Sequence, residues 1–128
     1  MILVDTSILV DSLRSSDPKI SALLDAHGGV VCGVVLAELL HGVRTSRERG
    51  LIIALVATLG SVPFDDALWE DVGDNLAALR RRGISVPLSD AIIATLAIEL
   101  GIELWTRDSH FTQMQTVLSA LRLFQEPP

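Results

Sequence analysis

The chain opens on an apolar run, Ile2-Leu3-Val4, that stops at Asp5 and is followed by Thr6-Ser7. An unbroken apolar run predicts a strand buried on both faces, as in the middle of a parallel sheet. Ile8, Leu9, Val10 and Leu13 then fit one side of a helix whose wet side carries Asp11, Ser12 and Arg14. A turn at Ser15-Ser16 leads to a second helix, with Asp17 as N-cap and Pro18 at its first position, that runs through Asp25. Gly28-Gly29 introduce a strand, Val30-Val31-Cys32, and Gly33 a helix from Val34 to about Arg44. Ser46 and Glu48 open the next helix, which carries Leu51 to Leu59. Gly60 to Phe64 reads as a short edge strand, because Pro63 has no N–H for a ladder.

Asp65 reads as the N-cap of the longest amphipathic helix, Asp66 to Arg82, with Leu68, Val72, Leu76 and Leu79 on one face. Its acidic start and its Arg80-Arg81-Arg82 end both suit the helix dipole, so the triple arginine reads as a C-terminal device rather than an RNA clamp. Ile84 to Leu88 is extended ahead of and around Pro87, and Ser89 is expected to cap a helix from Asp90 to Leu100. A strand at Ile102 to Thr106, a short helix at about Gln113 to Ala120 and a last strand at Arg122 to Phe124 follow, with Glu126-Pro127-Pro128 as a loose tail. The alternation predicts an α/β protein: a three-layer α/β/α fold with a mainly parallel central sheet of 4–5 strands, occupying residues 1–125.

The length of 128 residues suits one domain, and a hydrophobic content of 49% excludes a disordered chain. Cys32 is the one cysteine, which excludes an internal disulfide and suggests a buried thiol in a reducing compartment. No apolar run reaches the roughly 20 residues that span a bilayer, and no signal segment opens the chain, so a soluble cytoplasmic protein with no membrane partner is expected. The net charge of −6 argues against a nucleic-acid partner. That objection weakens if several of the acids are neutralised around a cation.

Four acids stand in unusual company. Asp5 ends a buried strand, Glu38 is the one charge in Val34 to Leu40, Asp90 opens the apolar Ala91-Ile92-Ile93-Ala94, and Asp108 follows the strand at Ile102 to Thr106. Each has a bland alternative: Asp5 a helix cap, Asp90 a dipole partner, Asp108 a turn residue, Glu38 the wet position of a buried helix. In parallel sheets, however, ligands bind beyond the carboxyl ends of the strands, where these residues fall. Clustered carboxylates repel, and the single lysine, Lys19, lies far along the chain from these motifs. A hard divalent cation, Mg²⁺ or Mn²⁺, resolves the repulsion and points to phosphodiester chemistry by metal-activated water.

Leu3-Val4-Asp5-Thr6-Ser7, Ala37-Glu38-Leu39-Leu40-His41-Gly42, Leu88-Ser89-Asp90-Ala91-Ile92-Ile93-Ala94 and Thr106-Arg107-Asp108-Ser109-His110-Phe111 resemble, in order and spacing, the four acidic motifs of PIN-domain ribonucleases. The resemblance covers essentially the whole chain, and the size is similar to that of VapC toxins of bacterial toxin–antitoxin pairs. It implies an Mg²⁺- or Mn²⁺-dependent endoribonuclease that cuts tRNA, rRNA or mRNA and leaves 5′-phosphate and 3′-hydroxyl ends. It also implies a homodimer and a cognate antitoxin whose tail can occupy the active site. On this reading Asp5 and Asp90 bind the principal metal, Asp108 binds it or a second one, and Glu38 positions or deprotonates the attacking water or completes a second site. Ser7, Thr6 and Thr106 support the acids.

Rival readings have weaker support. Glu38-x-x-His41 is half of a di-iron carboxylate motif without its second copy. Receiver domains and HAD-type phosphatases need a lysine near the acidic pocket, and position 7 is Ser rather than the second Asp of the phosphatases. No nucleophile elbow or phosphate-binding glycine loop is present. His110 is either a phosphate contact or a helix-start packing residue, and His27 reads as a turn residue. Arg14, Arg44, Arg47, Arg49 and Arg107 either guide an RNA backbone or are simply solvated. The alternative of another class is a PIN-type module that binds RNA or protein without cutting; its sign is loss of an acid, and all four are present.

Overall fold

Ile2–Val4 (β1), Gly29–Cys32 (β2), Gly60–Val62 (β3) and Glu103–Trp105 (β4) form one parallel sheet in the order β3-β2-β1-β4 in the computed structural model, which describes residues 1–128. β1 is interior, and its three residues are buried on both faces, as the unbroken apolar run requires. Gly28-Gly29 sets the start of β2. Gly28 takes φ +70 to end a helix, and a Cβ on Gly29 would meet Leu24 Cδ2 at 2.7 Å.

The helices are Thr6–Ser15 (α1), Pro18–His27 (α2), Gly33–His41 (α3), Ser46–Ala57 (α4), Trp69–Arg81 (α5), Leu88–Leu100 (α6) and His110–Gln115 (α7). Asp17 caps α2 through Lys19 N at 2.9 Å, with Pro18 in the first turn as expected. α4 is capped by Thr45, which accepts from Glu48 N at 3.1 Å, while the Glu48 carboxylate reaches back to Arg44 N at 3.1 Å. α6 is buried from Asp90 through Ala97 and packs against α5. Trp105 at the end of β4, and Phe111, Met114 and Leu121 beyond it, extend the same core.

Several sequence expectations are corrected. Asp65 does act as a cap, but residues 66–68 form a 3₁₀ turn and α5 begins only at Trp69. Ser89 is not the cap of α6; Pro87 holds that place and Ser89 lies inside the first turn, its hydroxyl directed to Glu38. α7 starts earlier than the expected Gln113, because Asp108 accepts from His110 N at 2.9 Å and opens the turn. Arg122 to Phe124 is a single parallel bridge, Leu104 to Leu123, rather than a fifth strand. The end of the chain is not loose: Arg107 grips Glu126, and Lys19 Nζ donates to Pro127 O at 2.9 Å.

Asp5 follows β1, Glu38 stands on the helix that leaves β2, and Thr106 to Asp108 follow β4. Those three chain segments therefore emerge at the carboxyl edge of the sheet, the edge where parallel α/β sheets take their ligands.

Candidate active site

Asp5 is 4% exposed and caps α1. Its Oδ2 accepts from Ser7 Oγ at 2.8 Å, Thr106 Oγ1 at 2.7 Å and, more weakly, Ser7 N at 3.4 Å. The main chain is pinned as well, with Asp5 N donating to Trp105 O at 2.9 Å. All three of these bonds fall on one carboxylate oxygen. A buried carboxylate persists when its lone pairs are satisfied in this way.

Thr106 joins Asp5 to Asp108, because its hydroxyl oxygen accepts from Asp108 N at 3.0 Å while donating to Asp5. Ser7 Oγ, 3.3 Å from Thr106 Oγ1, also accepts from Arg107 N at 3.0 Å. Glu38 is tied from two other sides. Thr6 Oγ1 donates to Oε1 at 2.8 Å and Ser89 Oγ donates to Oε2 at 3.2 Å. Since Ser89 precedes Asp90, this bond links α3 to the start of α6. The hydroxyls of Thr6, Ser7, Ser89 and Thr106 therefore tie the four acid-bearing segments to one another.

Asp90 registers the crowding. It is 7% exposed, and its carboxyl is pushed up to about 6, first by burial and then by the charges of Asp5, Asp108 and Glu38, with His110 opposing. The charges of the other three acids named from the sequence all reach Asp90, but the group whose ligand atoms lie within 4.8 Å of one another holds Asp90 and Asp108 with His110, and neither Asp5 nor Glu38 belongs to it.

His110 is the residue sequence reasoning undervalued. Its Nδ1 lies 3.4 Å from Asp108 Oδ1 and 3.7 Å from Asp90 Oδ2. One ligand atom each from Asp90, Asp108 and His110 falls within 4.8 Å of the others. The signal was available, since Asp108-x-His110 at a helix start places both side chains at the same end. His41 lies outside this group, and His27 ends α2 with its ring against Phe124 at 4.8 Å.

The donor set fits a hard divalent cation. Carboxylates of Asp90 and Asp108 stand with one imidazole, and both the burial and the neighbouring charges that raise Asp90 are what a doubly charged ion offsets. Beside the hollow runs an open groove of about 570 Å³ between α1, α3 and α4. Thr6 and Glu38 belong to both, and Val10, Leu13, Val43 and Leu51 make the groove largely apolar.

A PIN domain family model matches residues 2–116. The chain belongs to the PIN-domain family. Ribonuclease VapC32 of Mycobacterium tuberculosis is 31% identical over 111 residues, which covers 84% of this chain and 85% of that protein. DNA-bound VapBC from Salmonella typhimurium superposes with a TM-score of 0.84 at 19% identity, over 96% of each chain. VapBC-5 of Mycobacterium tuberculosis, a member of the VapBC family of toxin–antitoxin systems, gives 0.68 at 20% identity, again over 96% of each chain. The resemblance to VapC-type PIN domains carried by the four acidic motifs is borne out, as is the α/β/α fold, with an all-parallel sheet of four strands.

Proposed function

We propose that this PIN domain is a divalent-metal-dependent endoribonuclease and the toxin of a toxin–antitoxin pair. The observation that carries the proposal is that hydroxyls link the segments bearing Asp5, Glu38, Asp90 and Asp108, with Asp90 raised by burial and by the charges of the other three. Its 31% identity to a VapC ribonuclease supports the same reading.

Asp5, Asp90 and Asp108 would hold Mg²⁺ or Mn²⁺; ligand atoms of Asp90, Asp108 and His110 already lie within 4.8 Å of one another. When bound, such an ion lowers the pKa of a coordinated water and offsets charge building on phosphoryl oxygens. The protein's own part is positioning. Ser7 and Thr106 fix the rotamer of Asp5 by occupying Oδ2. Thr6 and Ser89 hold the Glu38 carboxylate by both oxygens, leaving each with lone pairs to orient the attacking water and take its proton. In-line attack on phosphorus, opposite the 3′ oxygen, gives 5′-phosphate and 3′-hydroxyl ends. RNA of the tRNA, rRNA or mRNA class is the proposed substrate.

The apolar groove that meets the hollow at Thr6 and Glu38 supports a cognate antitoxin segment as partner, lying against α1, α3 and α4 and reaching the acids with its end. A homodimer acting in the cytoplasm completes the proposal; no helix is long and apolar enough to cross a membrane. The test is cleavage of defined RNAs with Mg²⁺, Mn²⁺ or chelator. Wild type is expected to cut only with metal, and Asp5→Asn, still folded, is expected not to cut. Metal-dependent cleavage surviving in folded Asp5→Asn overturns the assignment.

A further inference from the structure

Arg107 stands between the two residues that carry the β4 side of the acidic hollow, Thr106 and Asp108, yet its guanidinium is turned to other partners. Nε donates to Glu126 Oε2 at 2.9 Å, Nη2 to Glu126 Oε1 at 2.8 Å, and Nη1 to Asp11 Oδ2 at 2.9 Å. The Glu126 pair is a two-pronged fork, the geometry in which arginine holds a carboxylate most rigidly. Ser7 and Asp11 are one helical turn apart on α1. Ser7 Oγ takes the Arg107 main-chain N–H and Asp11 takes its side chain, so one face of α1 grips both ends of the same residue.

The far side of the clamp is the end of the chain. Lys19 Nζ donates to Pro127 O at 2.9 Å and stands 3.9 Å from Glu126 Oε1, so α2 fastens the segment that supplies Glu126. Trp105, which precedes Thr106, is fully buried. Its indole N–H has no hydrogen-bond partner. Three of the five guanidinium N–H donors of Arg107 are engaged by Asp11 and Glu126.

We infer that Glu126 is a positioning residue for the nuclease site: acting through Arg107, which Asp11 also holds, it fixes the 105–110 segment so that Thr106 reaches Asp5 and Asp108 stays beside Asp90 and His110. The inference rests on the nuclease reading for its kinetic consequence and on geometry alone for its structural one. The chain end is thereby part of the active site's frame, although it touches neither metal nor RNA.

The test compares Glu126→Gln, Arg107→Gln and the double variant in the full-length protein. Amide hydrogen exchange at Arg107, Asp108 and His110 reads the frame directly, without metal or RNA. It is expected to speed up several-fold in each variant while amides of α5 stay unchanged. In cleavage assays, kcat is expected to fall about tenfold with KM for RNA unchanged, and the double variant is expected to be no worse than either single one. Glu126→Asp is expected to recover part of the loss. Unchanged exchange at 107–110 overturns the inference, and so does a rise in KM confined to Arg107→Gln, which marks a phosphate contact. A wild type that cuts no RNA defeats the nuclease reading, and the exchange measurement then decides the clamp by itself.

Discussion

Replacing Asp90 by Asn is expected to stabilise the metal-free protein while removing its activity. The Asp90 carboxyl is raised from an ordinary value of 3.8 to about 6 by burial and by the neighbouring charges of Asp5, Asp108 and Glu38. Between those values the folded protein holds the Asp90 proton more tightly than the unfolded chain does. Stability from this group is therefore greatest below 3.8, falls as pH rises through 6, and is fully lost above it. A shift of this size corresponds to about 3 kcal/mol at neutral pH. Because the amide of Asn still needs partners in a buried place, a net gain of about 1–3 kcal/mol is expected. For a domain of this length that is a rise in Tm of roughly 4–10 °C. The assay is thermal and urea unfolding in chelator across pH. The variant is expected to be more stable near neutrality, with the advantage shrinking toward about pH 4. Saturating Mn²⁺ is expected to raise Tm in the wild type through binding linkage and to do little in the variant. A variant no more stable than wild type in chelator at neutral pH, or an advantage that persists unchanged in acid, refutes the electrostatic argument.

Other consequences follow from particular contacts. Ser89→Ala removes one of the two hydroxyls on Glu38 without removing a helix cap, so cleavage is expected to slow roughly 2–10-fold while urea stability stays within about 0.5 kcal/mol. Gly29→Ala drives a methyl to 2.7 Å from Leu24 Cδ2 and to 3.4 Å from Val4 Cγ2, and is expected to destabilise by about 1–3 kcal/mol in denaturant titration. Arg107 holds the Glu126 carboxyl down to about 2 from 4.5. The stability this lends is complete above 4.5 and disappears as pH falls toward 2, so the gap between wild type and Glu126→Gln in acid unfolding is expected to close over that interval.

What could be read from the sequence was what depends on local periodicity and on position along the sheet. The run Ile2-Leu3-Val4 announces a buried parallel strand, and the carboxylate that stops it marks the ligand edge. Glu38 and Asp90 were visible as charges interrupting apolar helices. Their meeting could not be read from spacing, because it is made by hydroxyls reaching across the fold, Thr6 to Glu38 and Ser89 to Glu38. Ser89 misled for a physical reason: serine ahead of an apolar run is a good cap signal, but the extended backbone at Pro87 had already ended the approach to the helix. Glu126 misled for another. A charged residue between Gln125 and two prolines has no local preference for order, and only Arg107 and Lys19 give it a fixed place. His110 reads from the sequence as a phosphate contact or a helix-start packing residue, whereas α7 opening at Asp108 puts its ring beside two of the acids.

The central claim is that Asp5, Asp90 and Asp108 tolerate one another because a divalent ion belongs among them. Anomalous X-ray scattering from crystals of the protein grown with Mn²⁺ tests it directly. The account requires a manganese peak bonded to Asp90, Asp108 and Asp5, and absent in Asp90→Asn crystals. A fully ordered hollow that stays empty in saturating Mn²⁺, or manganese bound elsewhere on the surface and unchanged by Asp90→Asn, contradicts it.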